Sequence, residues 1–467
     1  MARPETLVLL DMDGVLLDLR VDVEGVRAGV RSDFARAGVE RSFRPLLASI
    51  DGALEEVGRR DPREAERLRE AAWGRIDLAE RRAAGSARAR PGARAFLERL
   101  GGLPLVLYTN NGRDAAIEAL NAAGIDPGIF RRVFARTGDR SLKPSGGPIV
   151  EALADEGLGE IRRAFMIGDH RYDMMSVRDA REALGRAAPD RRCDLVAIGM
   201  RGDAARDAEL ERAGADFLAA TLDEAAQLVA AEPMPDSLSV VLLAYNEAGI
   251  IAQAIADVRR FCALYAPDYE IIAVDDGSVD GTSAEIEAAD RGDVRLIRHD
   301  TNLGMGAAMR DGYRAARKRY VVHLPGDRQV RAQSLAPFLR HAAPMRVPLS
   351  HYARPPSGPA RAAMSLVFRM LVRGVGGLSV DFAGTYVFDR ALFDSIDPPD
   401  SVASRTFLYS FQLLERMRRA GCSFADVTVH PFPREAGRSR EATGRRVLGM
   451  AAELVRHRAA TLRERLG

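Results

Sequence analysis

At 467 residues the chain is longer than one hydrophobic core usually organises, so more than one domain is expected. A hydrophobic fraction of 47% and a charged fraction of 29% describe an ordinary globular protein, and 68 basic against 66 acidic residues give no global attraction to nucleic acid. The cysteines Cys193, Cys262 and Cys422 form no CxxC pair, which argues against a zinc site or disulfide framework and predicts a reducing, cytoplasmic setting.

The N-terminus runs straight into an apolar strand pattern without a signal-peptide layout, and no stretch approaches the roughly 20 apolar residues that span a bilayer. Thr6–Leu10, Leu105–Tyr108, Ala164–Ile167 and Leu195–Ile198 read as buried strands alternating with helical patterns. Residues 21–90 break that rhythm and predict an inserted helical cap. Residues 231–237, AEPMPDS, hold two prolines without periodicity and predict a linker between a domain at 1–230 and one at 238–467. A second series of strands follows at Ser239–Leu243, Glu270–Val274, Arg295–Arg298 and Tyr320–Leu324. The expectation is two α/β domains with parallel sheets, whose ligands meet the loops at the carboxyl ends of the strands.

In the first half, LVLLDMDGVLLD places Asp11 and Asp13 just past a buried strand. A carboxylate beside a divalent cation can attack phosphorus, and a second carboxylate two residues on can protonate the leaving oxygen and then activate water. LVLYTNN brings Thr109, a hydroxyl donor for a phosphoryl oxygen, and SLKPS brings Lys143 to balance developing charge. MIGDHRYD brings Asp169 and Asp173, hard oxygen ligands suited to Mg²⁺. These motifs in this order resemble the haloacid dehalogenase superfamily of phosphatases over residues 5–230, with the first cap type of phosphoglycolate-phosphatase-like members. The resemblance implies a Rossmann-like core, Asp11, Asp13, Thr109 and Lys143 as catalytic residues, and Asp11, Asp13, Asp169 and Asp173 around Mg²⁺.

In the second half, AYNEAG sets Tyr245, Asn246 and Glu247 on a loop, and VDDGSVDGT sets Asp275, Asp276 and Ser278 on the next. NLGMGAAMRDGYRAAR opens a helix with Asn302, Gly304 and Gly306, small residues that allow close approach of an anion to a helix N-terminus. HLPGDRQ follows a strand, with Asp327 and Gln329 alternating toward one diphosphate. Together these resemble a family 2 glycosyltransferase of the GT-A fold over residues 237–440, nearest to dolichyl-phosphate mannose synthases. That likeness implies a nucleotide-sugar donor held by Tyr245, Asn246, Glu247, Asp275, Asp276, Ser278, Asn302, Gly304 and Asp327. It also implies Mg²⁺ or Mn²⁺ on Asp327 and Gln329, and acceptor or phosphate contacts from Asp381, Arg434, Ser439 and Arg440, with Gly384 and Gly437 completing those elements. Pro325 stands where the family's first Asp of Asp-x-Asp is expected, a departure that bears on metal binding.

A phosphate acceptor is already an anion and needs no general base. Arg354, Arg361, Arg369, Arg373 and Arg434 surround the acceptor side, which predicts a phosphorylated acceptor, a polyprenyl phosphate first. Basic amphipathic stretches at 361–378 and 445–467 predict either peripheral contact with the inner face of a membrane or core-facing helices with solvated arginines. A soluble phosphorylated acceptor, later dephosphorylated by the fused domain, is the alternative; a catalytically silent scaffold is a third. His170 reads as solvent-facing, His323 as packing, and Trp73 as either a wall of the substrate entrance or filler of the cap core.

Overall fold

The computed structural model describes residues 5–137, 142–155, 160–187, 193–234, 236–353, 384–396 and 408–433. Asp381, Arg434, Gly437, Ser439 and Arg440, the arginines at 354, 361, 369 and 373, and both basic amphipathic stretches lie outside the described residues. The chain divides into two compact units, Met1–Ala230 and Ala231–Gly467.

The first unit is built on a six-stranded sheet of order β5-β4-β1-β6-β7-β8, parallel throughout. Its strands are β1 (Thr6–Leu10), β4 (Leu105–Gly112), β5 (Phe130–Arg136), β6 (Arg163–Gly168), β7 (Asp194–Met200) and β8 (Phe217–Ala219). β1 is buried along its whole length, as a central strand covered on both faces must be. Its register pairs Leu10 with Leu107 on one side and with Ile167 on the other. Asp11, Thr109 and Asp169 therefore emerge from the carboxyl ends of three adjacent strands.

Between β1 and β4 the chain leaves the sheet through a short antiparallel ribbon, β2 (Leu17–Asp18) with β3 (Arg88–Ala89). That ribbon carries the cap, helices α1 (Val23–Arg36), α2 (Leu46–Gly58) and α3 (Pro62–Ala84). Asp22 caps α1 through the Gly25 N–H, and Asp61 caps α3 through the Arg63 and Glu64 N–H groups. Phe34, Phe43, Ile50, Leu54, Leu68, Trp73 and Ile76 close a core of the cap's own. Trp73 thus fills the cap core.

The second unit holds a five-stranded sheet of order β11-β10-β9-β12-β14. β9 (Leu238–Ala244), β10 (Tyr269–Asp275), β11 (Val294–Arg298) and β12 (Tyr320–Pro325) run parallel, and β14 (Val387–Asp389) joins β12 antiparallel. β13 (Arg346–Tyr352) and β15 (Ser423–Val429) form a separate parallel pair. The aromatic side chains of Tyr313, Tyr386, Phe388, Phe393 and Tyr409 fill the core beneath the sheet. The segment read as a linker is partly taken into this unit: Met234 is buried, and its N–H donates to the Tyr265 carbonyl at 2.7 Å. Among the described residues, no helix is long and apolar enough to cross a membrane.

Candidate functional sites

In the first unit, Asp11, Asp169 and Asp173 offer carboxylate oxygens that all lie within 4.8 Å of one another. Lys143 reaches into the same place: its Nζ lies 2.6 Å from Asp11 Oδ1 and 2.6 Å from Asp173 Oδ1. Asp173 is fully buried and Lys143 is 4% exposed, so three carboxyl groups and one lysine crowd a largely desolvated site. Burial pushes the Asp11 carboxyl up to about 8, helped by Asp173 and Asp169 and opposed by Lys143. Asp169 is raised for the same reasons, burial first and then Asp173. Burial pulls the Lys143 ammonium down, but Asp11 and Asp173 outweigh it and hold it above its usual range. Three carboxyl groups gathered beside a single lysine form an all-oxygen donor set that fits a hard divalent cation.

Neighbouring backbone fixes this geometry. Gly14 turns the chain at φ +76°, and any Cβ there would strike the Asp169 carboxylate. The His170 N–H donates to Asp173 Oδ2 at 2.9 Å and steadies that carboxylate. Thr109, 1% exposed, donates from Oγ1 to Asn111 Oδ1 at 2.9 Å.

Asp13 differs from the expectation that it joins the metal ligands: its carboxylate stands outside the gathered three. The turn at Gly14, closed by the Gly14 N–H on the Leu17 carbonyl at 2.9 Å, aims Asp13 Oδ1 at the Leu19 N–H, also 2.9 Å away. Burial raises the Asp13 carboxyl to about 6, with Asp169 adding to the shift. A side chain in that range exchanges a proton near neutral pH.

Two residues of this site were not singled out from sequence. Asn110 Oδ1 accepts the N–H groups of Leu142 and Lys143 at 2.9 and 2.8 Å and so places the lysine. Its signal was local, since Asn near the end of a strand commonly satisfies nearby backbone. Arg206 donates from Nε to the Asp169 carbonyl at 2.9 Å and pairs with the same residue's carboxylate. It lies far along the chain and carries no local signal. His170 is exposed, as its sequence reading has it.

In the second unit the register aligns Asp275 with Ala244 and Pro325 with Leu243, which brings the loops after β9, β10 and β12 to one end of the sheet. The loops after β9 and β10 bind one another tightly. The Asn246 N–H donates to Ser278 Oγ at 2.8 Å, the Val279 N–H to Asn246 Oδ1 at 3.0 Å, and the Glu247 N–H to Thr282 Oγ1 at 2.9 Å.

Asp276 accepts from the N–H groups of Leu303 and Gly304, each at 2.8 Å, and lies 2.8 Å from His299 Nδ1. It therefore fastens the Asn302–Gly304 turn to the end of β10. His299, also overlooked in the sequence, is buried between Asp276 and Asp311, with Nε2 3.2 Å from Asp311 Oδ2. Asn302 is exposed beside this turn, and Tyr245 is half-buried on the first loop.

Asp275 departs from the ligand-contact expectation. It has no exposed surface, accepts the Ser278 N–H at 2.9 Å and is hydrogen-bonded by Ser283 Oγ, because it still belongs to the sheet as the last residue of β10. It anchors the loop from beneath.

Asp327 Oδ1 accepts the Gln329 N–H at 3.0 Å, and the Gln329 carbonyl accepts the Phe432 N–H at 2.8 Å. Among the described residues, no second trio of potential ligands matches the one around Asp11. His323 is packed in the core 2.6 Å from the Tyr313 hydroxyl, and burial lowers its imidazole to about 3. Gly384 adopts φ +122°.

Comparison with known proteins separates the two halves. Residues 6–181 match the family described as haloacid dehalogenase-like hydrolase, and residues 239–364 match Glycosyl transferase family 2. Succinoglycan biosynthesis protein ExoO of Rhizobium meliloti is 36% identical over 113 residues, 24% of this chain and 31% of that protein. Dolichyl-phosphate beta-glucosyltransferase of Saccharomyces cerevisiae is 34% identical over 98 residues, 19% of this chain and 29% of that protein. The chain thus spans about a third of the length of these curated relatives. A hydrolase from Pseudomonas syringae of known crystal structure is 25% identical, with a TM-score of 0.34, over 46% of this chain and 94% of its own.

Proposed function

We propose, from a chain that joins a haloacid dehalogenase-like hydrolase domain to a family 2 glycosyl transferase domain, that it carries two phosphate-handling activities. The first is hydrolysis of a phosphomonoester; the second is transfer of a sugar from a nucleotide-sugar donor to a phosphorylated acceptor. The observation that carries the first is the convergence of Asp11, Asp169, Asp173 and Lys143 at the ends of adjacent strands.

In this reading an Asp11 oxygen forms a bond to phosphorus as the ester P–O bond breaks, leaving an aspartyl phosphate. Asp13, held near pH 6 by burial, gives its proton to the departing oxygen. It then takes a proton from the water that cleaves the aspartyl phosphate. Lys143 and the Thr109 hydroxyl face the charge on the phosphoryl oxygens. Asp11, Asp169 and Asp173 would hold Mg²⁺, which supplies positive charge against the phosphoryl oxygens. Arg206 keeps Asp169 turned into that site.

For the second unit, the aligned loops around Tyr245, Asp276 and Asp327 form the donor pocket in this proposal. Asp276 acts there by holding the Asn302–Gly304 turn at the sheet end, where its backbone can meet phosphates. Support for a lipid-linked phosphate acceptor comes from the relative whose name specifies dolichyl phosphate. The phosphatase site on the same chain favours a second reading, in which a soluble phosphorylated acceptor is glycosylated and then dephosphorylated.

Incubation of the whole chain with labelled nucleotide sugar and either a polyprenyl phosphate or a small phosphorylated acid tests both readings. Label extracted into butanol supports the lipid acceptor. Water-soluble label that becomes resistant to added phosphatase, but stays sensitive in Asp11→Asn, supports the second. No transfer to either defeats the transferase proposal.

A further inference from the structure

Arg136, the last residue of β5, is 3% exposed although its charge cannot be titrated away. Such a group must be paired on all sides. Its Nη1 lies 2.8 Å from Asp77 Oδ1 and its Nη2 lies 2.7 Å from Glu80 Oε2, two carboxylates one turn apart on cap helix α3. Its guanidinium carbon sits 5.0 Å from the centre of the Trp73 ring on the same helix. Toward the sheet, Nε donates to the Asn110 carbonyl at 3.1 Å, and Glu80 also accepts the Gly112 N–H at 2.8 Å. Cap helix α3 thus holds the last residues of β4, Gly112 directly and Asn110 by way of Arg136.

That strand end holds the lysine. Asn110 Oδ1 accepts from the backbone of Leu142 and Lys143, and Lys143 Nζ reaches Asp11. The contacts form one continuous path: Asp77 and Glu80 on the cap, Arg136, Asn110, Lys143, Asp11. We infer that Arg136 is a positioning residue that transmits cap docking to Lys143, so that the catalytic lysine is fully placed only when α3 is seated. The inference rests on the phosphatase reading of the first unit. A planar guanidinium suits this task because its separate N–H groups face three acceptors at fixed angles, which a single ammonium does not.

The test uses the whole chain with Arg136→Lys and, as a milder second variant, Glu80→Gln. The single tryptophan, Trp73, reports by its emission whether the cap remains folded. Hydrogen–deuterium exchange is followed at the Leu142 and Lys143 amides, and p-nitrophenyl phosphate turnover is measured with Mg²⁺. Losing the Asn110 restraint is expected to speed exchange at those amides about tenfold, while Ala164–Ile167 in β6 stays protected. kcat is expected to fall about tenfold with KM within about twofold, as for a group that places chemistry without binding substrate. Unchanged exchange at Leu142 and Lys143 in both variants, with α3 alone loosened, overturns the inference and leaves Arg136 as cap glue. If the unaltered chain turns over no phosphomonoester, the phosphatase reading falls, and the exchange result still decides the coupling.

Discussion

Asp11 and Asp13 stand two positions apart, yet the turn at Gly14 gives them separate surroundings. One is packed against a lysine and two carboxylates; the other is tied to a backbone N–H. Asp11→Asn keeps the shape and removes the nucleophile, so Mg²⁺-dependent p-nitrophenyl phosphate turnover is expected to fall by at least about 1,000-fold with folding intact. His323 supplies a pH test in the other unit. Its folded value of about 3 lies below the ordinary 6.5, so the unfolded chain binds a proton that the folded chain refuses. Stability is therefore full above pH 6.5 and is lost as pH falls toward 3, by about 2 kcal/mol at pH 5. Thermal melts should show this slope in the second unit's transition, and His323→Gln should flatten it. Asp11, Thr109 and Asp169 were legible because each follows an apolar run, and Lys143 because SLKPS stands between those of Thr109 and Asp169. Arg206 and His299 were not, since each acts on a residue distant in sequence.

At the level of elements, Asp276 joins the end of β10 to the start of the helix Met305–Ala315 by way of the Leu303 and Gly304 N–H groups. Asp276→Ala leaves those donors and His299 unpartnered, and nucleoside-diphosphate binding is expected to weaken about tenfold or more. A thermal-shift titration with a nucleoside diphosphate, with and without Mn²⁺, measures it; an unchanged midpoint shift rejects the pocket assignment. The cap core offers a stability counterpart. Phe34 is fully buried with its ring 5.0 Å from that of Phe43, and Phe34→Ala is expected to cost about 3–5 kcal/mol. The apolar runs of the central strands made them readable. β5, FRRVFAR, is an edge strand with mixed burial, and β13 contains Pro348; neither shows a clean alternation, and both went unread.

Across the whole molecule, two units of similar size each gather their loops at the carboxyl ends of parallel strands. The change from one strand series to the next marked the division at the sequence level. How firmly the AEPMPDS segment binds the second unit was not readable, because that depends on where Met234 finds a buried place. The central claim is that one chain holds two separable phosphate-handling sites. Its most direct test assays one preparation for both p-nitrophenyl phosphate turnover and nucleoside-diphosphate binding, in the unaltered chain, Asp11→Asn and Asp276→Ala. Each substitution is expected to remove one property and leave the other within about twofold. Loss of both properties from either single substitution, or the absence of both from the unaltered chain, contradicts it.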